Sequence, residues 1–178
     1  MPNHVRNVLK FSKLKQNERE FIIERFTRDY DGIKIFDLKA IVPEPQSESE
    51  CPDDCKVNKA SCIQEDEEKP WFDWYKWRNK YWGTKWNTYD GYMEVNTTTV
   101  MFVFSTAWST PDAVYEQLAK KYPDLIWEVR YADEDYGSNC GKIIYNPDKT
   151  GFVEPVHYLK EEASKDPVAY ARQLWRNY

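Results

Sequence analysis

Apolar and basic side chains take turns between residues 5 and 11: Val5, Leu9 and Phe11 fall on one side of an extended chain, Arg6 and Lys10 on the other. That two-residue period predicts a half-buried strand. The period then lengthens. Asn17 stands three positions before Glu20, the spacing of a capping box, and Phe21, Ile22 and Phe26 follow at helical intervals, which predicts a helix to about Arg28. Asp31-Gly32 supplies a turn, and Ile33 to Val42 reads as a second strand that Pro43 ends. Further along, Trp74, Trp77 and Tyr81 share a helical face with Gly83 just beyond them, predicting a short aromatic helix. Val100 to Phe104 is apolar on both faces, as a strand in mid-sheet is.

Thr110-Pro111-Asp112 opens the clearest helix, with a hydroxyl cap, proline in the first turn and an acid beside it; Val114, Leu118 and Tyr122 line one side as far as Pro123. Leu125, Trp127, Val129 and Tyr131 alternate with Glu128 and Arg130, predicting another strand. Lys142–Tyr145 and Phe152–Val156 flank a turn-rich stretch and read as a terminal hairpin, and Asp166-Pro167 opens a last helix that reaches Trp175. Two strand-helix-strand units of this size most economically make an α+β, ferredoxin-like sandwich, an antiparallel sheet with helices on one face. Residues 1–178 are expected to form a single domain. Residues 44–70, punctuated by Pro45, Pro52 and Pro70 and lacking hydrophobic periodicity, read as an irregular insertion.

Composition sharpens this picture. With 8 Trp, 13 Tyr and 8 Phe in 178 residues a packed core is expected, and the longest apolar run is far short of the roughly 20 residues that span a bilayer. The N-terminus has no signal-type hydrophobic stretch, so the expected compartment is the cytoplasm. Charge is polarised. From Glu44 to Glu68, Glu44, Glu48, Glu50, Asp53, Asp54, Glu65, Asp66, Glu67 and Glu68 face only Lys56 and Lys59, giving residues 44–68 a charge of −7 against a total of −5 and the rest of the chain +2. Such a face repels a nucleic-acid backbone, so direct nucleic-acid binding is not expected of it; it suits a basic protein surface or the DNA channel of a nuclease. Read plainly, the segment is a surface loop kept soluble by its charge.

Three of the four cysteines, Cys51, Cys55 and Cys62, lie inside this insertion. Clustered thiols in a reducing compartment favour a metal over a disulfide, and a structural zinc would staple a loop that has little apolar content of its own. Cys140 would complete a four-thiolate site; His4 or His157 would complete a three-thiolate, one-histidine site. The spacing is not that of a standard zinc knuckle, so unrelated reduced thiols and a disulfide stay as alternatives. Catalytic motifs are missing from the sequence: there is no glycine-rich phosphate loop, no Gly-x-Ser-x-Gly and no His-Glu-x-x-His, and only two histidines are present. A non-enzymatic protein is expected. The tryptophans at 71, 74, 77, 82 and 86 are interleaved with Lys76, Arg78, Lys80 and Lys85, which suggests stacking platforms for bases; packing is the preferred reading, because the helical period does not put rings and bases on one face.

Several blocks are also familiar as a set. Met-Pro-Asn-His-Val at residues 1–5, Phe36-Asp37-Leu38-Lys39-Ala40-Ile41-Val42-Pro43, Trp82-Gly83-Thr84-Lys85-Trp86-Asn87-Thr88-Tyr89-Asp90, Thr106-Ala107-Trp108-Ser109 and Tyr131-Ala132-Asp133-Glu134-Asp135 resemble the YubB-like ferredoxin-like family of phage and plasmid proteins. The resemblance spans most of the chain, and its most specific block is Trp-Gly-Thr-Lys-Trp-Asn. It implies a ferredoxin-like domain encoded on a mobile element, with no catalytic residues. Joined to the polarised charge, it leads to the expectation of a phage anti-CRISPR protein that binds a type II CRISPR effector nuclease and blocks target-DNA loading or cleavage through the nine acids above. The alternative is a nucleic-acid-binding accessory protein of a phage or plasmid that uses the Trp/Lys block.

Overall fold

In a computed structural model that describes residues 3–56, 69–146 and 165–178, the first alternating segment becomes β1, His4–Ser12, the middle strand of a five-stranded antiparallel sheet. β1 pairs on one side with β5 (Val100–Ala107), Leu9 opposite Phe102, and on the other with β6 (Ile126–Asp133), Leu9 opposite Val129. β4 (Tyr89–Val95) lies outside β5 and β7 (Cys140–Tyr145) outside β6, giving the order β4-β5-β1-β6-β7. The crossover helices are α1 (Gln16–Arg25), between β1 and the later strands, and α4 (Asp112–Lys121), between β5 and β6. This is the expected α+β, ferredoxin-like architecture with one strand added at an edge.

The pleat sorts side chains to two faces. Val5, Leu9, Phe11, Phe102, Phe104, Trp127, Val129 and Ile143 point toward Ile22 of α1 and toward Val114, Tyr115 and Leu118 of α4, forming the main core. On the other face Val8, Val103 and Ala132 meet Ala171 and Leu174 of α5, Pro167–Asn177. There Trp175 donates its indole N–H to the carbonyls of Ala132 and Asp133, both at 3.1 Å, and the Arg6 guanidinium lies 4.9 Å from its ring centre. The crossover helices thus share one face, and the C-terminal helix takes part of the opposite one.

Several local expectations change. α1 stops at Arg25, because Thr27–Tyr30 (β2) pairs with Ile33–Phe36 (β3) in a separate two-stranded sheet. Its N-terminal box sits two residues earlier than predicted: the Lys15 amide donates to the Glu18 carboxylate at 2.7 Å. The strand expected over residues 33–42 is cut at Phe36, since the Asp37 carboxylate accepts the Lys39 amide at 3.0 Å and caps a single helical turn, α2 (Leu38–Ile41). The first predicted strand-helix-strand unit therefore does not form. Its crossover runs from β1 through α1 and a long excursion to β4, a strand with no clean alternation. β4 is an edge strand whose register shifts between Tyr89 and Tyr92, with Asp90 at φ +46°. Gly91 is required in that bulge, because a Cβ there would run into the Val103 carbonyl and lie 2.9 Å from Phe104 Cα.

The aromatic helix is α3, Trp74–Tyr81, and Gly83 beyond it adopts φ +79° as a C-terminal glycine should. The Thr110 hydroxyl is not the expected cap of α4. It donates to the Asn7 side-chain oxygen at 2.6 Å, inside a buried network where the Asn7 amide nitrogen reaches the Val5 carbonyl and the Thr106 hydroxyl, both at 2.9 Å. β7 forms a hairpin with β6, and the predicted arm Phe152–Val156 lies outside the described residues.

Candidate functional site

Two surfaces hold the residues that the sequence singled out. The first is the acidic loop. Cys51 and Cys55 are its inward anchors, 4% and 0% exposed, in the same core as Phe72 and Trp77; a 3-10 turn at Asp53–Cys55 and the bond from the Asp73 amide to the Cys55 carbonyl at 3.0 Å hold them there. Burial pushes the Cys55 thiol up to about 11 and also raises that of Cys51. Cys140 does not join them. It lies on the opposite face of the sheet, packed with α5, its sulfur 3.9 Å from the Pro167 carbonyl. The expected four-thiolate set is corrected on that ground: alternation along β7 sends Ile143 and Tyr145 into the main core and Cys140 away from it. Among the described residues no group of three or more His, Cys, Asp or Glu is placed to hold a metal, and Cys62 and His157 lie outside them. His4 is engaged elsewhere, its Nδ1 2.7 Å from the Tyr89 hydroxyl.

The nine acids divide in the same way. Glu44 is a buried strut, 7% exposed; Arg78 Nε donates to one of its oxygens at 2.6 Å and Lys39 Nζ lies 2.7 Å from the other. Burial alone would raise its carboxyl, but the Lys39 hydrogen bond and the Arg78 charge outweigh this and hold it below the usual carboxylate value. Arg78 is fixed in turn between the rings of Trp74 and Trp82, 4.8 and 5.3 Å from their centres. Glu44 is therefore removed from the set of partner-facing acids. Glu48, Glu50, Asp53 and Asp54 are exposed. Asp53 pairs with Lys56 at 2.8 Å and Asp54 with Lys80 of α3, whose hydrogen bond draws the Asp54 carboxyl down. Glu65, Asp66, Glu67 and Glu68 lie outside the described residues.

The second surface is built by the Trp-Gly-Thr-Lys-Trp-Asn and Thr-Ala-Trp-Ser blocks at one end of the sheet. Some of their residues are core or clamps, as the packing reading expects: Trp82 is buried with its indole N–H on the Val42 carbonyl at 2.8 Å. The Thr84 hydroxyl donates to the Ala107 carbonyl at 2.8 Å, and the Asn87 amide donates to Asp37 at 2.7 Å. Other residues point outward. Lys85 Nζ stands 4.9 Å from the Trp86 ring centre, 5.2 Å from Trp108 and 5.7 Å from Tyr75. Tyr75 and Trp108 meet edge to face, and Trp86, Tyr89 and His4 continue the row. Trp108 is 42% exposed and Tyr75 40%. The sequence places Trp86 and Lys85 in the candidate stacking block but gives no sign that Tyr75 and Trp108 join them.

Residues 81–171, just over half of the chain, match the family described as "Ferredoxin-like domain in Api92-like protein". The chain belongs to this family. The matched Api92-like region opens at the end of α3 and takes in β4 to β7 together with the start of α5, so it covers four of the five strands of the main sheet. It includes the whole of the Lys85 cluster except Tyr75 and His4 and leaves the acidic loop outside. The description names a fold and no activity, and it agrees with the ferredoxin-like part of the resemblance noted from sequence. No curated protein and no solved structure matches the chain. Among the described residues no helix is long and apolar enough to cross a membrane.

Proposed function

We propose that this chain is a non-catalytic inhibitor carried by a mobile element, which binds a type II CRISPR effector nuclease and blocks target-DNA loading or cleavage. The observation that carries the reading is the display of Glu48, Glu50, Asp53 and Asp54 on the outer side of a loop whose inner side is pinned by buried Cys51 and Cys55. A fixed set of carboxylates is pre-organised to meet a basic surface, since ordering it on binding costs little entropy. A channel that holds DNA is lined with lysine and arginine, so an acidic protein is steered toward it and competes with the phosphate backbone. The strut formed by Glu44 and Arg78 supports this role indirectly, by fastening the start of the loop to α3.

The test is target-DNA cleavage by a panel of guide-loaded type II effectors, with the purified protein titrated in. Inhibition near equimolar protein is expected. Replacing Glu48, Glu50 and Asp53 together by lysine is expected to raise the half-inhibitory concentration about tenfold or more, mainly through slower association, as rim charges act. Unchanged inhibition by that variant would move the contact to another face, and no inhibition across the panel would overturn the reading.

A further inference from the structure

We propose that the exposed rings of Tyr75 and Trp108, with the half-buried ring of Trp86 beside them, form the centre of a protein-docking surface that takes an arginine-rich segment of a partner. The inference deepens the inhibitor reading, because it rests on the partner presenting a basic surface, and it assigns the tightest contact to a site other than the acidic loop.

The first observation is that Trp108 is displayed at a conformational cost. Its φ is +69°, a left-handed conformation that a bulky L-residue rarely adopts. Two hydrogen bonds fix it: the Trp108 amide donates to the Asn3 carbonyl and the Asn139 side chain donates to the Trp108 carbonyl, each at 2.9 Å. Nothing in the packing of the core demands an indole at this position, since the ring is 42% exposed. The second observation is rigidity. Lys85 stands among the three rings, within 5.7 Å of each centre, and the flanking clamps of Thr84 and Asn87 fix the segment that carries it. Rigid tryptophan and tyrosine side chains at a solvent-facing centre have the composition of interface hot spots.

Charge selects the occupant. The charged groups around this end include Lys85, Arg6 and Arg28, whose guanidinium reaches the Thr88 carbonyl, with Asp37 on the Asn87 amide and with Asp90, Asp133, Glu134 and Asp135. Asp90 is paired with Arg6 at 3.0 Å, and Asp133 is buried among side-chain amides of Asn3 and Asn139; Glu134 and Asp135 are exposed next to Tyr136, itself 40% exposed. Exposed carboxylates at this end, Glu134 accepting the His4 amide and Asp135 the Ser138 hydroxyl, repel a phosphate backbone. They suit guanidinium groups, which stack on aromatic faces and fork onto carboxylates. α3 links this end to the acidic loop, carrying Tyr75 near its start and, five residues on, Lys80, which holds Asp54.

The experiment uses the full chain and two labelled probes, a nine-residue arginine peptide and a twelve-residue single-stranded thymidine oligonucleotide, followed by fluorescence anisotropy. The peptide is expected to bind and the oligonucleotide not to. Trp108→Ala and Tyr75→Ala, on separate elements, are each expected to weaken peptide binding at least tenfold, and Glu134→Gln with Asp135→Asn to flatten its salt dependence. Because both rings are largely outside the core, these variants keep the thermal transition of the parent. Peptide binding indifferent to both ring variants, or oligonucleotide binding lost with Trp108, would overturn the proposal. In the cleavage assay, ring variants that bind no peptide yet inhibit fully would refute this surface and leave the inhibitor reading standing. Peptide binding that needs the rings, with no effector inhibited, would keep the surface and remove the effector.

Discussion

Replacing Glu44 by alanine removes the carboxylate on which Arg78 and Lys39 converge, and the structure sets the size of the effect. The Glu44 side chain is 6% exposed and that of Arg78 22%, so their bond at 2.6 Å is a charge-assisted one largely shielded from water, which contributes about 1.5–3 kcal/mol. Lys39 is 47% exposed and its pair at 2.7 Å is discounted to the surface range of about 0–1 kcal/mol. Together they put the loss for Glu44→Ala at about 3 kcal/mol, and for a chain of this size that lowers Tm by about 6–12 °C. Glu44→Gln keeps one acceptor oxygen and loses about half as much. The pH dependence has a definite sign. The folded carboxyl is held below its ordinary value of 4.5, so its stabilisation is fully present above that pH and disappears as pH falls through the folded value. Urea unfolding of the wild type and both variants at pH 7, 5 and 3 checks this. The gap is expected to be widest at pH 7 and to narrow as pH falls below 4.5; an alanine variant within about 0.5 kcal/mol of wild type at pH 7, or a gap constant across the series, refutes the reasoning.

Other consequences are equally concrete. Gly91→Ala forces a Cβ against the Val103 carbonyl and the Phe104 backbone, and by chemical denaturation it is expected to cost more than about 2 kcal/mol, where an ordinary exposed strand glycine would gain from alanine. Asn7→Leu removes the acceptor of the Thr110 hydroxyl and a donor to the Thr106 hydroxyl, which keeps the Ser109 carbonyl, and is expected to cost about 2–4 kcal/mol, with Thr110→Val in the same background recovering part of it. Cys140→Ser is expected to leave the zinc content of the purified protein equal to that of wild type by elemental analysis, because Cys140 lies on the other face of the sheet from Cys51 and Cys55; a drop would contradict that placement. Cys51 and Cys55, buried and with raised thiol values, are expected to react with a water-soluble thiol reagent far more slowly in the native state than in urea.

The strictly periodic elements were readable from sequence. β1, β6 and α4 each repeat one hydrophobic period long enough to identify the element, β5 is a run apolar on both faces, and α5 is marked by its Asp166-Pro167 start. Where a single polar side chain decided the outcome, the pattern misled. Asp37 converts the end of an apparent strand into a helical turn by accepting one amide, and Thr110 gives its hydroxyl to Asn7 instead of capping α4. β4 escaped notice because a bulge at Asp90-Gly91 breaks its alternation and, at the sheet edge, neither of its faces is deeply buried. The candidate surfaces divide on the same principle. Exposure of the acids from Glu48 to Asp54 follows from composition, but the burial of Glu44 depends on Arg78, 34 residues away. The display of Trp108 depends on Asn3 and Asn139, which lie far from it along the chain. Contacts of that range leave no local period to read.

The central claim, that the chain acts by occupying a CRISPR effector through its acidic loop, is tested most directly by one cleavage experiment. Each effector of a type II panel, loaded with guide RNA, is given target DNA together with wild-type protein or the variant carrying lysine at residues 48, 50 and 53, at matched molar ratios. The account predicts loss of cleavage near equimolar wild-type protein and recovery of cleavage with the variant at the same ratio; full cleavage with wild-type protein across the panel, or equal inhibition by both proteins, contradicts it.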